Sequence, residues 1–169
     1  MEYDWTSFTK RVNIKARIAN IYRLCATPAG LEKWFLRLAE FTQPNGTMLS
    51  ASDVINTGQN FRWLWYGWPD SMEEKGQILE ANGTDRMKFT FGQEGAEDMV
   101  CTFKIYTEQN ETIFEIMQEN ISTDEKGKCY YHIGCITGWT FFMANMKSVL
   151  ENGYDLRNRN ADLKNVITA

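Results

Sequence analysis

Residues 132–153 read HIGCITGWTFFMANMKSVLENG. Cys135, Trp139, Phe142, Met143, Met146, Val149 and Leu150 recur at intervals of three and four, the spacing that gathers side chains on one side of an α-helix. Gly153 suits the position just past the last turn, where the chain leaves in a left-handed conformation. A helix with so broad an apolar side needs an extended surface to lie against. The residues before it have to supply that surface.

They read as sheet. From about residue 46 to 122 the chain breaks into short runs separated by turn chemistry: Pro44-Asn45-Gly46, Thr57-Gly58, Gly67-Trp68-Pro69-Asp70, Asn82-Gly83, Gly92 to Gly95, and Asn110. This pattern predicts a meander of about six antiparallel strands. Alternation sorts their faces. In NFRWLWYGWPD (60–70), Phe61, Trp63 and Trp65 share one face, with Arg62, Leu64 and Tyr66 on the other. Phe89 and Phe91 align with Met87 in the next aromatic run. Phe103 aligns with Cys101 and Ile105, while Phe114, Ile116 and Gln118 continue the inner face. Ile78 and Leu79 are adjacent and of opposite parity, so the inner face of GQILEAN is left unassigned. Upstream, Phe8, Val12, Ile14 and Ala16 alternate with polar residues and predict a strand, Lys10 being the exception. Two short helices follow, the first carrying Ile18, Ile21, Tyr22 and Cys25. The second has Thr27 as N-cap, Pro28 at its first position and a stripe of Leu31, Trp34, Phe35 and Leu38. Residues 154–169 are largely polar and read as a frayed or loosely docked tail.

The resulting order is strand, two short helices, meander, long helix. The expected class is α+β: a twisted antiparallel sheet of six or seven strands curling around the terminal helix. A length of 169 residues suits one domain. A net charge of −4 with no long basic run argues against a nucleic-acid partner. No apolar stretch approaches the ~20 residues of a membrane span, and no signal peptide is visible, so the expected location is the cytoplasm. Cys25, Cys101, Cys129 and Cys135 stand among apolar neighbours at irregular spacing and are expected to be buried, reduced thiols.

Three stretches carry a family resemblance: IANIYRLCATPAGLEKWF, GQILEANGTDRMKFTF, and HIGCITGWTFFMANMKSVLENGYDLR. They are similar to the opening helices, central hairpin and closing helix of the START-like (SRPBCC) superfamily. The branch they most resemble is that of homologues of the activator of the heat-shock protein 90 ATPase. The resemblance implies a helix-grip fold over residues 1–157, with 158–169 as a polar tail, and a hydrophobic cavity between sheet and helix. It also implies three roles, since the superfamily shares no catalytic set. The first is a non-catalytic module enclosing a lipid or other hydrophobic small molecule. The second is a co-chaperone-like partner of a chaperone ATPase. The third is an enzyme resembling polyketide cyclases and aromatases.

The expected cavity wall joins Phe61, Trp63, Trp65, Phe89 and Phe91 to Phe103, Phe114, Ile116 and Gln118 on the sheet. Trp34 and Phe35 come from the second short helix, and Trp139, Phe142, Met143 and Met146 from the long one. Packed rings without a guest are the competing reading. Gln118, facing inward, needs hydrogen-bond partners, whether protein, water or ligand. Cys129, His132 and Cys135 form C-x-x-H-x-x-C, but the spacing spreads them around a helix axis and no fourth ligand is in sight, so no metal is expected. His132 reads instead as a helix-start histidine bonded to backbone or water. His132 with Cys135 lacks an orienting acid for nucleophilic catalysis. Glu73-Glu74 and Glu94 to Asp98 flank turns and read as solvated charges. Leu64 and Tyr66 offer an exposed patch for a protein partner, and two aromatic-rich faces leave room for a homodimer. No catalytic residue and no cofactor are assigned.

Overall fold

The computed structural model describes residues 3–92, 98–160, 162, 163 and 166. Strand β1 (Phe8–Asn13) leads to α1 (Ile18–Cys25) and α2 (Pro28–Trp34). Six strands follow: β2 (Leu38–Thr42), β3 (Asn60–Leu64), β4 (Glu74–Ala81), β5 (Arg86–Thr90), β6 (Val100–Glu108) and β7 (Glu111–Glu119). A π-helical stretch, Gly127–Gly134, then runs into α3 (Cys135–Asn152). The strands form one antiparallel sheet in the order β1-β7-β6-β5-β4-β3-β2, curved around α3. This is the α+β helix-grip fold. Among the described residues no helix is long and apolar enough to cross a membrane.

Among the described residues the predicted caps and turns are in place, the Gly92 to Gly95 turn lying outside them beyond Gly92. Thr27 Oγ1 accepts from Gly30 N at 3.0 Å, and Gly153 ends α3 with φ of 74°. Gln109 and Asn110, both at positive φ, make the tight β6–β7 turn whose register runs from Val100↔Glu119 to Glu108↔Glu111. Ile78 is the inward residue of β4 and Leu79 the exposed one, with a bulge shifting the register just beyond Ile78.

The structure departs from the sequence reading in five places. Leu38 is not on the helical stripe: α2 ends at Trp34, Arg37 N already donates to Leu64 O at 2.8 Å, and Leu38 opens β2, ahead of residue 46. Ala39 and Phe41 are buried there, so a period-two signal lay beneath the helical one. Cys129 is exposed and Cys135 half-buried, while Cys25 and Cys101 are buried as expected. The helical run carrying α3 starts before His132, because Asp124 Oδ1 accepts from Gly127 N at 2.6 Å and sets its first turn. A Cβ on Gly127 would lie 1.9 Å from Ser122 O, which only glycine avoids. Leu64 is 2% exposed and Tyr66 is half-buried under the guanidinium groups of Arg157 and Arg159, so the patch expected of them is absent.

The fifth departure is the chain after α3. Arg157 is buried, donates to Leu36 O at 2.9 Å and Glu32 O at 2.8 Å, and pairs with Asp155 at 2.8 Å. Asn145, buried in α3, donates to Trp34 O at 2.7 Å and accepts from Leu156 N at 2.7 Å. Residues 155–159 are therefore a clasp holding α3 to α2, not a loose end. Burial acts to raise the Asp155 carboxyl, but hydrogen bonds from Arg157 and Arg159 outweigh it and hold the group well below the usual carboxylate range. Its stabilising contribution is present above that range and is lost as pH falls. Arg157→Ala leaves two buried carbonyls unanswered and takes from the Asp155 carboxylate one of its two guanidinium partners, and is expected to cost about 3 kcal/mol in denaturant unfolding. A loss below about 0.5 kcal/mol, that of an ordinary surface change, would show that the clasp contributes little.

Candidate binding groove

Between α3 and the sheet the aromatic side chains interlock. Trp34, Phe35, Trp63, Phe89, Phe103 and Phe114 are all fully buried or nearly so. Phe61 stacks on Trp63 at 3.9 Å between centroids, Trp63 meets Phe89 edge-on at 5.1 Å, and Phe103 meets Trp139 edge-on at 5.6 Å. Each such pair contributes about 0.5–1.5 kcal/mol beyond area burial. Among the described residues the indole N–H of Trp63 has no hydrogen-bond partner.

Gln118 is fully buried in this layer, and protein groups meet its needs. Its Oε1 accepts from Trp139 Nε1 at 2.9 Å, and its Nε2 donates to Tyr131 O at 3.2 Å and contacts Met99 Sδ at 3.0 Å. His132 is likewise held by backbone and side chain, Nδ1 lying 3.0 Å from Trp5 O and Nε2 2.9 Å from Tyr3 Oη. Among the described residues no group of His, Cys, Asp and Glu is arranged to hold a metal ion. Burial pushes the Cys135 thiol up to about 11, so it is no ready nucleophile.

Open space begins where the rings end. A recess of about 150 Å³ is lined by Phe35, Trp65, Trp68, Phe91, Trp139 and Phe142, with Gly134, Cys135 and Gly138 on the helical side. It adjoins a second space of about 430 Å³ that shares Trp65, Trp68, Phe91 and Cys135 and adds Met72, Glu74, Gly92, Lys126, Tyr130 and Tyr131. Together they form a groove at one end of the molecule, between the start of α3 and the β3–β4 loop. The loop is braced by Arg37, which donates to Trp65 O at 3.2 Å and to Asp70 at 2.5 Å. Gly138 contributes to the space directly, since a Cβ there would meet nothing within 4 Å. Of the predicted wall, Phe35, Trp65, Phe91, Trp139 and Phe142 border the groove. Phe61, Trp63, Phe89, Phe103, Phe114, Ile116, Gln118, Trp34, Met143 and Met146 lie in the packed interior behind it.

Glu74 is the residue that the sequence reading missed. It opens β4 directly opposite Trp63, is 5% exposed, and accepts from Gly92 N at 2.7 Å. Burial raises its carboxyl to about 7 against the Gly92 bond. It is therefore no solvated turn charge. Its neighbour Glu73 bonds Arg62 at 2.6 Å and also pairs with Lys75; residues 94–97 of the other acidic run, and Gly95, lie outside the described residues. The parity of β4 was the one available signal, and it was masked by the bulge.

A curved sheet gripping a terminal helix, with a groove at the helix start, defines a START-like protein. A family model described as Activator of Hsp90 ATPase homolog 1-like protein matches residues 15–151, and the chain belongs to that family. Among solved structures it is similar to the Aha1 dimer from Colwellia psychrerythraea, at 18% identity over 87% of this chain and 97% of that one, with a TM-score of 0.65. It is also similar to SSP2350 from Staphylococcus saprophyticus, at 12% identity over 89% and 96% with a TM-score of 0.65. A third is DynU16 of the dynemicin biosynthetic locus, at 14% identity over 91% of this chain and 50% of that one, with a TM-score of 0.67. These identities speak to the fold alone. A search of curated proteins found no match.

The raised carboxyl has a consequence for stability. The folded chain holds the Glu74 proton up to about pH 7, whereas an unfolded glutamate releases it near 4.5. The contribution of Glu74 is thus fully present below pH 4.5 and is lost as pH rises through about 7. Urea unfolding across this window is expected to show a decline that Glu74→Gln removes; an unchanged slope in the variant would place the decline elsewhere.

Proposed function

We propose that this protein is a START-like binding module that takes an apolar, ring-containing small molecule into the groove beside Trp65, Trp68, Phe91 and Trp139. The observation that carries the reading is an apolar recess left open next to a completely packed core. Trp68 is 50% exposed at its rim, a costly position for an indole unless something covers it. A guest displacing water from these faces gains about 25 cal/mol for each Å² of apolar surface buried. The residues assigned to binding are Phe35, Trp65, Trp68, Phe91, Trp139, Phe142 and Glu74, within one domain spanning residues 1–157.

The co-chaperone alternative rests on the family description; of the surface expected to support it, Leu64 is buried and Tyr66 lies under the clasp arginines. Glu74 favours the enzyme alternative, as a buried acid whose raised pKa is the kind found at catalytic sites.

Gly138→Leu fills the recess from the helix side, where a side chain meets open space, and in an exposed helix interior such a change adds up to about 1 kcal/mol of helix propensity. The expected outcome in native mass spectrometry of protein purified from cells is a small-molecule adduct on the wild type and its loss in the variant, with the melting temperature unchanged or higher. An adduct equally abundant in both proteins would place the guest outside this groove.

A further inference from the structure

Glu74 sets a constraint on the guest that apolar walls do not. The carboxyl lies at the edge of an apolar groove and, among the described residues, no basic side chain contributes to its titration; burial is the largest cause of its shift and Gly92 the counterweight. The cations near it in sequence are engaged elsewhere: Arg62 with Glu40 and Glu73, Lys75 with Glu73. From the helical side the titratable groups sharing the groove are Lys126, Tyr130, Tyr131 and Cys135. Lys126 Nζ stands over the Tyr131 ring at 5.7 Å, and the Cys135 thiol stays neutral. The rest of the wall is Trp65, Trp68, Met72 and Phe91, and aromatic faces attract cations as well as apolar groups.

We infer that the guest carries a protonated amine beside its apolar ring system, with the ammonium seated against the Glu74 carboxylate. The inference rests on the binding role proposed above and adds the ligand's chemical class. A carboxylic acid would meet a like charge, and a neutral alcohol would satisfy the carboxylate without compensating its burial. An ammonium does both, by hydrogen bond and by charge, in a site where water is scarce. Binding carries no net proton change above the titration of Glu74. Below it, the amine displaces the carboxyl proton, so affinity falls as pH drops.

The test compares 1-naphthylmethylamine, 1-naphthylmethanol and 1-naphthoic acid by titration calorimetry on the full chain at about pH 8. The amine is expected to bind at least about tenfold tighter than the alcohol, a gap of about 1.4 kcal/mol, and the acid weakest. At about pH 5.5 the amine's advantage is expected to shrink by about tenfold, with a proton released to buffer. Glu74→Gln, checked for folding by circular dichroism, is expected to bring the amine to the level of the alcohol. Alcohol and amine binding equally, or the acid binding best, overturns the amine inference while leaving the groove's binding role standing. No binding by any of the three overturns both.

Discussion

One buried amide fixes the end of the molecule where binding is proposed. Gln118 lies on β7 in a layer of aromatic rings, where an unpaired polar group costs about 1–3 kcal/mol. Its needs are met only when α3 presents the Trp139 N–H at 2.9 Å and the π-helical stretch presents the Tyr131 carbonyl at 3.2 Å. Apolar packing alone would tolerate a helix sliding along the sheet, whereas these two directional bonds do not. The rotation and register of α3 follow from them, and so does the position of the groove mouth, since Trp139 and Tyr131 both border it. Tyr3 and Trp5 fix the same stretch from outside through His132. At the other end of α3, Asn145 and Arg157 do the equivalent work against α2.

Given a helix so held, the division between solid core and open groove follows from side-chain size. Behind Trp139 the facing residues are large on both sides, and their rings fill the interval. Ahead of it the helical side carries Gly134 and Gly138, and the strands have already ended: β3 stops at Leu64, so Trp65 and Trp68 stand on the loop and lean over space. Small residues on one side and strand ends on the other leave the recess. Glu74 enters it because β4 begins there, opposite Trp63.

The fold was readable because periodicity carries faces and turns carry boundaries. Thr27-Pro28, the Asn82-Gly83 turn and the stripe from Cys135 to Leu150 each placed an element. Depth was not readable in the same way. Alternation shows that Trp63 and Trp65 share a face but not that one is sealed in the core and the other borders open space; that depends on where β3 stops. Leu38 misled because its run satisfies both periods. Glu74 was hidden because adjacent glutamates beside a turn look solvated until strand register puts one inside. Arg157 was hidden because the carbonyls that hold it, at Glu32 and Leu36, lie far away in sequence.

The central claim is that a guest enters at the groove mouth and leaves the packed interior untouched. The six indole N–H resonances in a proton–nitrogen correlation spectrum report on it directly, because Trp65, Trp68 and Trp139 border the groove, Trp34 and Trp63 lie in the packed interior, and Trp5 stands apart beside His132. Titration with 1-naphthylmethylamine is predicted to shift the signals of Trp65, Trp68 and Trp139, leaving Trp34, Trp63 and Trp5 in place. Shifts centred on Trp34 and Trp63 would mean that the rings part to admit a guest between sheet and helix, and the account of a solid core with an open mouth would be wrong.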